Sequence, residues 1–446
     1  MGRVLAWAEF PSGAAEFPDR KSTPMASGHS EESSLIARYA SFSLVGATAD
    51  FLSGAVFVTV LLERGAEPWV LGLMLGSANL VGLVVEAPSG ALGDRYGHRR
   101  LLVSGLFLWG TGFMLFGYAD RLASTLAGMY LWAFGFHLHS GTLTALVVNR
   151  IGSRDRSTRI ARTMWFGQVS GHSGAVLGAA SVMVAGTWLP ADALISAGGV
   201  VLVALAALAH VCFPRSPGQP GRRLGEIVRE SAVSMVGRRF LPLVALTASL
   251  TSGIALLVVS WQPMLLAVHG EDVRRNGLML LMMMSALVAG SACSRFVGRD
   301  RPHVWAPLFA AAVGLPLALA AHGLVPLTAG LLASEFLLGL TGVLSGVWQQ
   351  LMFSDANRNT MFSMLGMVSG LVRALTVVSF GWLWGLLGMA WSVTSMISVG
   401  VVAAVVSAVS SRLLPESTRF AAHPSDESKN DGDHSSGESE PDENAV

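Results

Sequence analysis

Four charged side chains lie inside long apolar runs of the sequence: Asp50, Glu86, Glu335 and Arg373. A charge at the centre of a bilayer costs about 2.5–3.5 kcal/mol on insertion scales, so each needs a partner or a function. Small and polar residues share the helical face of Asp50, which predicts that this face points inward. We expect Asp50 to be a protonatable or cation-binding carboxylate; the alternative is a hydrogen-bond anchor between helices.

Glu335 and Arg373 lie near the middle of two consecutive apolar runs. They could form a neutral structural pair. Alternatively, protonation of Glu335 frees Arg373 and couples protons to a substrate. Such coupling is useful because one charge moved through 100 mV carries about 2.3 kcal/mol. Glu86 lies close to the end of its run, where a gating role is expected rather than substrate contact.

Aromatic and histidine side chains add further candidates. Trp261 and Gln262 precede Pro263, a position where proline can break a helix and expose backbone carbonyls. Trp261 is predicted to form a cavity wall or, alternatively, to anchor the helix at the membrane interface. His137 and His139 are two residues apart, so they project to roughly opposite sides of a helix and cannot both line one cavity. His137 is the candidate that we retain.

These side chains must be positioned by membrane helices. The chain is 52% hydrophobic and only 13% charged, a composition typical of membrane proteins. Net charge near zero argues against nucleic acid as a partner. Apolar runs of about 20 residues predict twelve spans. They are 40–62, 69–92, 101–119, 123–148, 163–187, 191–213, 241–268, 277–295, 303–321, 324–347, 361–385 and 388–411.

The spans divide into two groups of six. Bundles are predicted at 38–213 and 241–412, joined by a linker at 214–240 that contains a short surface helix around Glu226–Arg238. Residues 1–37 are predicted to be a disordered cytoplasmic tail without the apolar segment of a signal peptide, and Met25 is an alternative start. Residues 413–446 are predicted to be an acidic disordered tail. With both termini inside, 18 arginines fall in inner loops against 4 in outer loops, which predicts cytoplasmic termini.

The loop after the second span carries a recognisable motif. It reads Gly90-Ala91-Leu92-Gly93-Asp94-Arg95-Tyr96-Gly97-His98-Arg99-Arg100. This stretch resembles the signature G-x-L-[AG]-D-[RK]-x-G-[RH]-[RK]-[RK] of the major facilitator superfamily. The preceding Glu86-Ala87-Pro88-Ser89 resembles the lead-in of its drug–proton antiporter subgroup. The resemblance implies an all-α fold of twelve transmembrane helices in two pseudo-symmetric six-helix bundles.

The same resemblance implies a cytoplasmic latch. Asp94 is expected beside the start of the eleventh span, near Met361, with arginines of the motif closing a charge network. The gating residues predicted in this way are Glu86, Gly90, Gly93, Asp94, Arg95, Gly97, Arg99 and Arg100. Close helix approach at Gly90 and Gly93 and a tight turn at Gly97 fit their lack of a side chain. The fifth span has Gly167, Gly171, Gly174 and Gly178 for close packing. Its likeness to the antiporter motif G-x-x-x-G-P-x-x-G-G is partial, because His172 replaces proline.

Together these features predict a secondary transporter of the plasma membrane, not an enzyme. We expect proton-coupled efflux of a small amphipathic molecule by rocking of the two halves; the alternative is a metabolite importer or uniporter. Candidate substrate and coupling residues are Asp50, His137, Trp261, Gln262, Glu335 and Arg373. An intramembrane enzyme is disfavoured because no HExxH or GxSxG motif is present. A sensor that signals through its acidic tail is a further alternative. No cofactor or metal is predicted, and the default is a monomer in the lipid bilayer.

Overall fold

The computed structural model describes residues 26–139, 142–148, 150, 156–214, 237–297, 301–353 and 358–414. Helices account for nearly all of them. The first eight are α1 Ala26–Gly54, α2 Phe57–Glu63, α3 Pro68–Tyr96, α4 His98–Tyr118, α5 Leu122–His139, α6 Thr142–Val148, α7 Arg156–Ala185 and α8 Ala191–Cys212. The others are α9 Leu241–His269, α10 Val273–Cys293, α11 Pro302–Ala312, α12 Leu315–Ala321, α13 Leu327–Met352, α14 Arg358–Leu387 and α15 Met389–Leu413.

Eleven stretches of the described chain are long and apolar enough to cross a membrane. Helix pairs α1–α2, α5–α6 and α11–α12 make up the first, fourth and ninth predicted spans. The predicted fifth span corresponds to α7, which is not among the eleven. With 30 residues, α7 is about 45 Å long and can still cross a bilayer. Its lower apolar content reflects the arginines at its start and the polar side chains described below.

One boundary differs clearly from the prediction. Helix α1 begins at Ala26, inside the range 1–37 that the sequence assigns to a disordered tail. A backbone that leaves the membrane can continue as a helix into water, so an apolar run underestimates helix length. The predicted surface helix around Glu226–Arg238 falls almost entirely in 215–236, outside the described residues, as do residues 1–25 and 415–446.

Helices pack closely within each half because small residues lie at the contacts. In α7, Gly174 and Gly178 face the backbone carbonyls of Leu44 and Thr48 in α1, and a Cβ on either glycine would collide with that helix. Gly167 faces the side-chain ring of Tyr39 in α1, whereas Gly171 faces open space. The glycine face predicted on the fifth span is therefore a packing face, as expected from small-residue contacts in membranes.

The two halves meet along two seams. Helix α3 packs on α14, and α7 packs on α10. These seams join the second span to the eleventh and the fifth to the eighth, so exchange of the two halves converts one seam into the other. This is the relation expected of two repeated six-helix units around a central space.

Within the described residues, both seams make close backbone contacts at the end of the molecule that has few arginines. We call this the arginine-poor end; its arginines are Arg64, Arg121, Arg274 and Arg275. The backbones of Gly72 in α3 and Gly381 in α14 touch there, and so do those of Met183 in α7 and Gly277 in α10. A Cβ on any of these glycines would meet backbone atoms of the other half, so the halves are closed against each other at this end.

Candidate functional site

A cavity of about 840 Å³ lies between the two halves. Its described lining comes from α1, α2, α3, α5 and α7 of the first half and from α9, α10, α13 and α14 of the second. Among the described residues, none of α4, α8, α11, α12 or α15 contributes to the lining, and these helices lie outside. The cavity is therefore central and is lined by four membrane spans of each half.

Five of the six predicted substrate and coupling residues line this cavity: Asp50, His137, Trp261, Glu335 and Arg373. Asp50 is half-buried on α1, whereas Glu335 on α13 is only 5% exposed. Glu335 and Arg373 face the same space, but no ion pair joins them within the described part of the chain. The pairing that the sequence suggested is thus not made in this conformation.

Gln262 is the exception and corrects the prediction. Its side chain has no exposed surface and does not line the cavity. Its amide instead bonds to the break between α1 and α2, in the other half of the molecule. One residue of helix corresponds to a rotation of about 100°, so neighbours such as Trp261 and Gln262 face different surroundings.

Aromatic rings form one wall of the cavity. The ring centroids of Phe57 and Trp132 are 5.8 Å apart in an edge-to-face arrangement. Trp132 packs in turn on Phe113, at 4.9 Å, and Phe136 also lines the cavity. Trp261 is 3% exposed and faces the cavity from α9, so it belongs to the wall rather than to the membrane interface. Such a wall suits a flat apolar ligand.

The polar lining falls on two sides. On the α3–α14 side, His137 of α5 packs against Gly82 of α3, and Leu83 of α3 approaches Gly370 of α14. Asn79 and Arg373 line the cavity on the same two helices, each one helical turn from these contacts. Asn79, His137 and Arg373 therefore line the same side of the cavity.

The α7–α10 side holds the second polar group. Gln168 and His172 line the cavity from α7, and Ser291 lines it from α10. The Ser291 hydroxyl donates to the Gly339 carbonyl of α13, at 3.3 Å, which brings α13 and its Glu335 to this side. Asp50 lies on α1, which packs on α7. The basic group Arg373 and the acidic group Glu335 thus occupy different sides of the cavity.

A comparison with known protein families identifies the family to which a chain with this helix arrangement and central cavity belongs. The model described as "Major Facilitator Superfamily" matches residues 39–376. The chain belongs to the major facilitator superfamily. It is a membrane transporter and not an enzyme, and its fold is that of the superfamily.

Three known proteins that this transporter resembles are distant from it in sequence. Over 294 residues it is 25% identical to the 3-(3-hydroxy-phenyl)propionate transporter of Escherichia coli (strain K12), covering 66% of this chain and 70% of the relative. The crystal structure of a bacterial homologue of the human lysosomal transporter Spinster gives a TM-score of 0.67, at 14% identity over 88% of this chain and 98% of that one. A D-xylose–proton symporter gives 0.67, at 15% identity over 88% and 99%. The structural likenesses show the shared fold.

The superfamily motif lies at the junction of α3 and α4. Gly97 has φ of 90° and forms the tight turn predicted there. Arg99 donates to the carbonyls of His210 and Phe213 at the end of α8, so it contacts its own half, and Arg100 is exposed. The helical backbone of α3 includes the remaining motif residues. The side-chain positions of Glu86, Gly90, Gly93, Asp94 and Arg95 lie outside the described part of the structure, so the latch to the region of Met361 stays a prediction.

Sequence reasoning about this transporter missed part of the lining. It interpreted His172 only as a departure from the antiporter motif and did not consider Gln168. These two residues are four apart, hence on one face of α7, beside the glycine face that packs on α1. A polar pair next to a packing face is the signal that could have placed them in the cavity. His137 lines the cavity, whereas His139 does not. The ring of His139 packs on that of Trp109, with 5.5 Å between the ring centroids.

Proposed function

We propose that this transporter moves a small amphipathic organic molecule with a flat apolar body, by alternating access and in exchange for protons. The observation that carries the proposal is the cavity itself. It combines an aromatic wall with the two carboxylates of Asp50 and Glu335, one from each half. Carboxylates inside a membrane are costly and commonly mark ion or substrate pathways.

The mechanism that we propose is rocking of the two halves about the cavity. The halves are closed at the arginine-poor end, through Gly72 with Gly381 and Met183 with Gly277. Alternating access requires these contacts to open while the opposite end closes. The positive-inside rule favours an extracellular arginine-poor end and cytoplasmic termini, and we propose that the protein lies in the plasma membrane.

We propose efflux as the direction and protons as the coupling ion, with a lipophilic cation or neutral compound as the substrate. The experiment uses purified protein in proteoliposomes, loaded with radiolabelled amphipathic compounds, with and without an imposed proton gradient. The proposal requires flux against the substrate gradient that disappears when an ionophore collapses the proton gradient. Flux that is insensitive to the ionophore would contradict it and favour a uniporter.

A second candidate is uptake of an aromatic carboxylate. Arg373 and His137 share the α3–α14 side of the cavity, and the Phe136 ring centroid lies 5.3 Å from that of His137. A guanidinium can bind a carboxylate with two parallel hydrogen bonds. The relative from Escherichia coli that is named for an aromatic acid favours the same choice.

The two candidates differ in their dependence on Arg373. For a carboxylate substrate, Arg373→Gln would abolish uptake and Arg373→Lys would impair it strongly, because lysine cannot form the bidentate contact. For a cation, the same changes would leave binding intact, whereas Glu335→Gln would weaken it. Uptake and efflux assays of benzoate-type acids and lipophilic cations, side by side, separate the two.

A further inference from the structure

The first membrane span is broken where the two halves meet. Helix α1 ends at Gly54 and α2 begins at Phe57. In a continuous helix, the amide N–H of Val58 would donate to the carbonyl of Gly54, four residues earlier. Here a side chain from the other half takes the place of that bond.

The inserted group is the amide of Gln262 in α9. Its Nε2 donates to the Gly54 carbonyl at 2.8 Å, and its Oε1 accepts from the Val58 N–H at 3.0 Å. The Thr59 N–H also donates to Oε1 at 3.0 Å, and the Thr59 hydroxyl does so at 3.3 Å. One buried side chain therefore satisfies three backbone groups that the break leaves without their helical partners.

A second residue of the same half extends this contact. The Asn276 side chain of α10 donates to the Thr59 hydroxyl oxygen at 3.1 Å. Gln262 and Asn276 are 0% and 6% exposed, so these bonds form out of contact with water. We call Gly54, Val58, Thr59, Gln262 and Asn276 the clasp.

The clasp crosses between the halves. Gly54, Val58 and Thr59 belong to the first half, whereas Gln262 and Asn276 belong to the second. The contact between Met183 and Gly277 lies next to it, since Gly277 follows Asn276 directly. Any opening of the arginine-poor end that separates α2 from α9 must therefore break the bonds of Gln262.

The clasp is also continuous with the cavity wall. Gly54 and Phe57 line the cavity on either side of the break, and Trp261 lines it directly beside Gln262. A ligand that contacts Phe57 or Trp261 would press on the same short segment that the clasp holds. A ligand in the cavity and the contacts that close the arginine-poor end therefore involve the same short segment of the chain.

We propose that Gln262 is the positioning residue that holds the arginine-poor end of the transporter closed. It does not touch the substrate. Through the break in the first span, it sets the equilibrium between the conformation closed at this end and the conformation open there. This proposal rests on transport by alternating access, but not on the identity of the substrate or of the coupling ion.

The test measures access to the cavity from each side of the membrane. Cys212 and Cys293 are first replaced by serine, and Val258→Cys then serves as the reporter, since Val258 lines the cavity outside the clasp. A membrane-impermeant maleimide is added to right-side-out or to inside-out vesicles, and the rate of labelling is compared between variants. No substrate or proton gradient is needed, so failure of the proposed function would not affect this result.

The clasp variant is Gln262→Met, which keeps a similar volume but can neither donate nor accept the bonds. Loss of one or two net hydrogen bonds shifts an equilibrium about tenfold. We expect labelling from the arginine-poor side to rise by about that factor and labelling from the opposite side to fall. Thr59→Val, which removes one hydroxyl, should give a smaller change in the same direction.

Ser260→Ala is the matched control. Ser260 is fully buried on the same helix, two residues from Gln262, and its hydroxyl has no partner among the described residues. It should label like the parent. Faster labelling of Gln262→Met from both sides would indicate a loosened fold and would overturn the proposal. Unchanged labelling from both sides would overturn it as well.

Discussion

The His137 ring occupies the space that a side chain at Gly82 would need. Gly82 lies on α3 and His137 on the neighbouring α5. Because Gly82 has no Cβ, the imidazole of His137 can reach the cavity. Conformational freedom is not the reason for glycine here, because Gly82 lies in a regular helix. The contact places the His137 ring on the α3–α14 side of the cavity, where Arg373 also lies.

We predict that Gly82→Ala displaces His137 and impairs transport. The variant should reach the membrane in normal amounts, with a raised KM or lost flux in vesicles. In a His137→Ala background the clash is absent, so Gly82→Ala should have little further effect. Gly171→Ala is the control, since its Cβ would meet no atom within 4 Å. If the effects of Gly82→Ala and His137→Ala were additive, the contact between Gly82 and His137 would not be the cause of the impaired transport.

A second prediction concerns the seam between α3 and α14. A Cβ on Gly72 would lie 2.8 Å from the Val377 carbonyl oxygen and 2.9 Å from the Gly381 Cα. Overpacking of this kind costs about 1–3 kcal/mol, which the protein can avoid by parting the halves at this end. Gly72→Ala should therefore increase maleimide labelling of Val258→Cys from the arginine-poor side.

Gly385→Ala provides the comparison for Gly72→Ala. It lies on α14 near the same end, and its Cβ would have nothing within 4 Å. Equal labelling rates in the two variants would contradict the role assigned to the seam.

A third prediction concerns Arg64, which follows α2 directly. Its guanidinium donates to the carbonyls of Phe116 and Gly117 at the end of α4, at 2.6 and 2.9 Å, and to the Thr125 hydroxyl at 3.1 Å. Burial lowers the pKa of Arg64, and the negative charge of Asp192 has the largest effect in the opposite direction. Positive charge at a helix C-terminus and bonds to its last carbonyls both stabilise that end.

Arg64→Gln should lower the free energy of unfolding by about 1.5–3 kcal/mol, the range for hydrogen bonds to charged groups. Arg64→Lys should recover only part of the loss, since its point charge cannot reach three acceptors in a fork. Thermal unfolding in detergent measures this. Arg121→Gln, an exposed side chain at the same end, should change little. A Tm for Arg64→Gln equal to that of Arg121→Gln would refute the capping role.

The sequence predicted the spans well because a bilayer imposes one simple requirement, an apolar run of sufficient length. It also placed His137 and His139 on opposite sides of one helix, since helical periodicity decides that question alone. The tight turn at Gly97 followed from the motif.

The clasp could not be predicted in this way. Nothing in the run around Gly54 shows that the helix breaks there, because the break is stabilised by Gln262, about 200 residues later. Hydrogen bonds between distant elements leave no periodic signal. Opposite charges likewise suggested a pair of Glu335 and Arg373. Helix α13 packs on α10 and α14 packs on α3, so the two residues lie on different sides of the cavity.

We propose that the cavity between the halves is the transport site and that its carboxylates exchange protons. The most direct test records proton release or uptake by purified protein in proteoliposomes when substrate is added, for the wild type, Asp50→Asn and Glu335→Gln. Binding of radiolabelled substrate to each variant is measured in parallel. We expect a substrate-evoked proton signal that is lost in at least one variant that still binds substrate. A signal of undiminished size in both variants would contradict it.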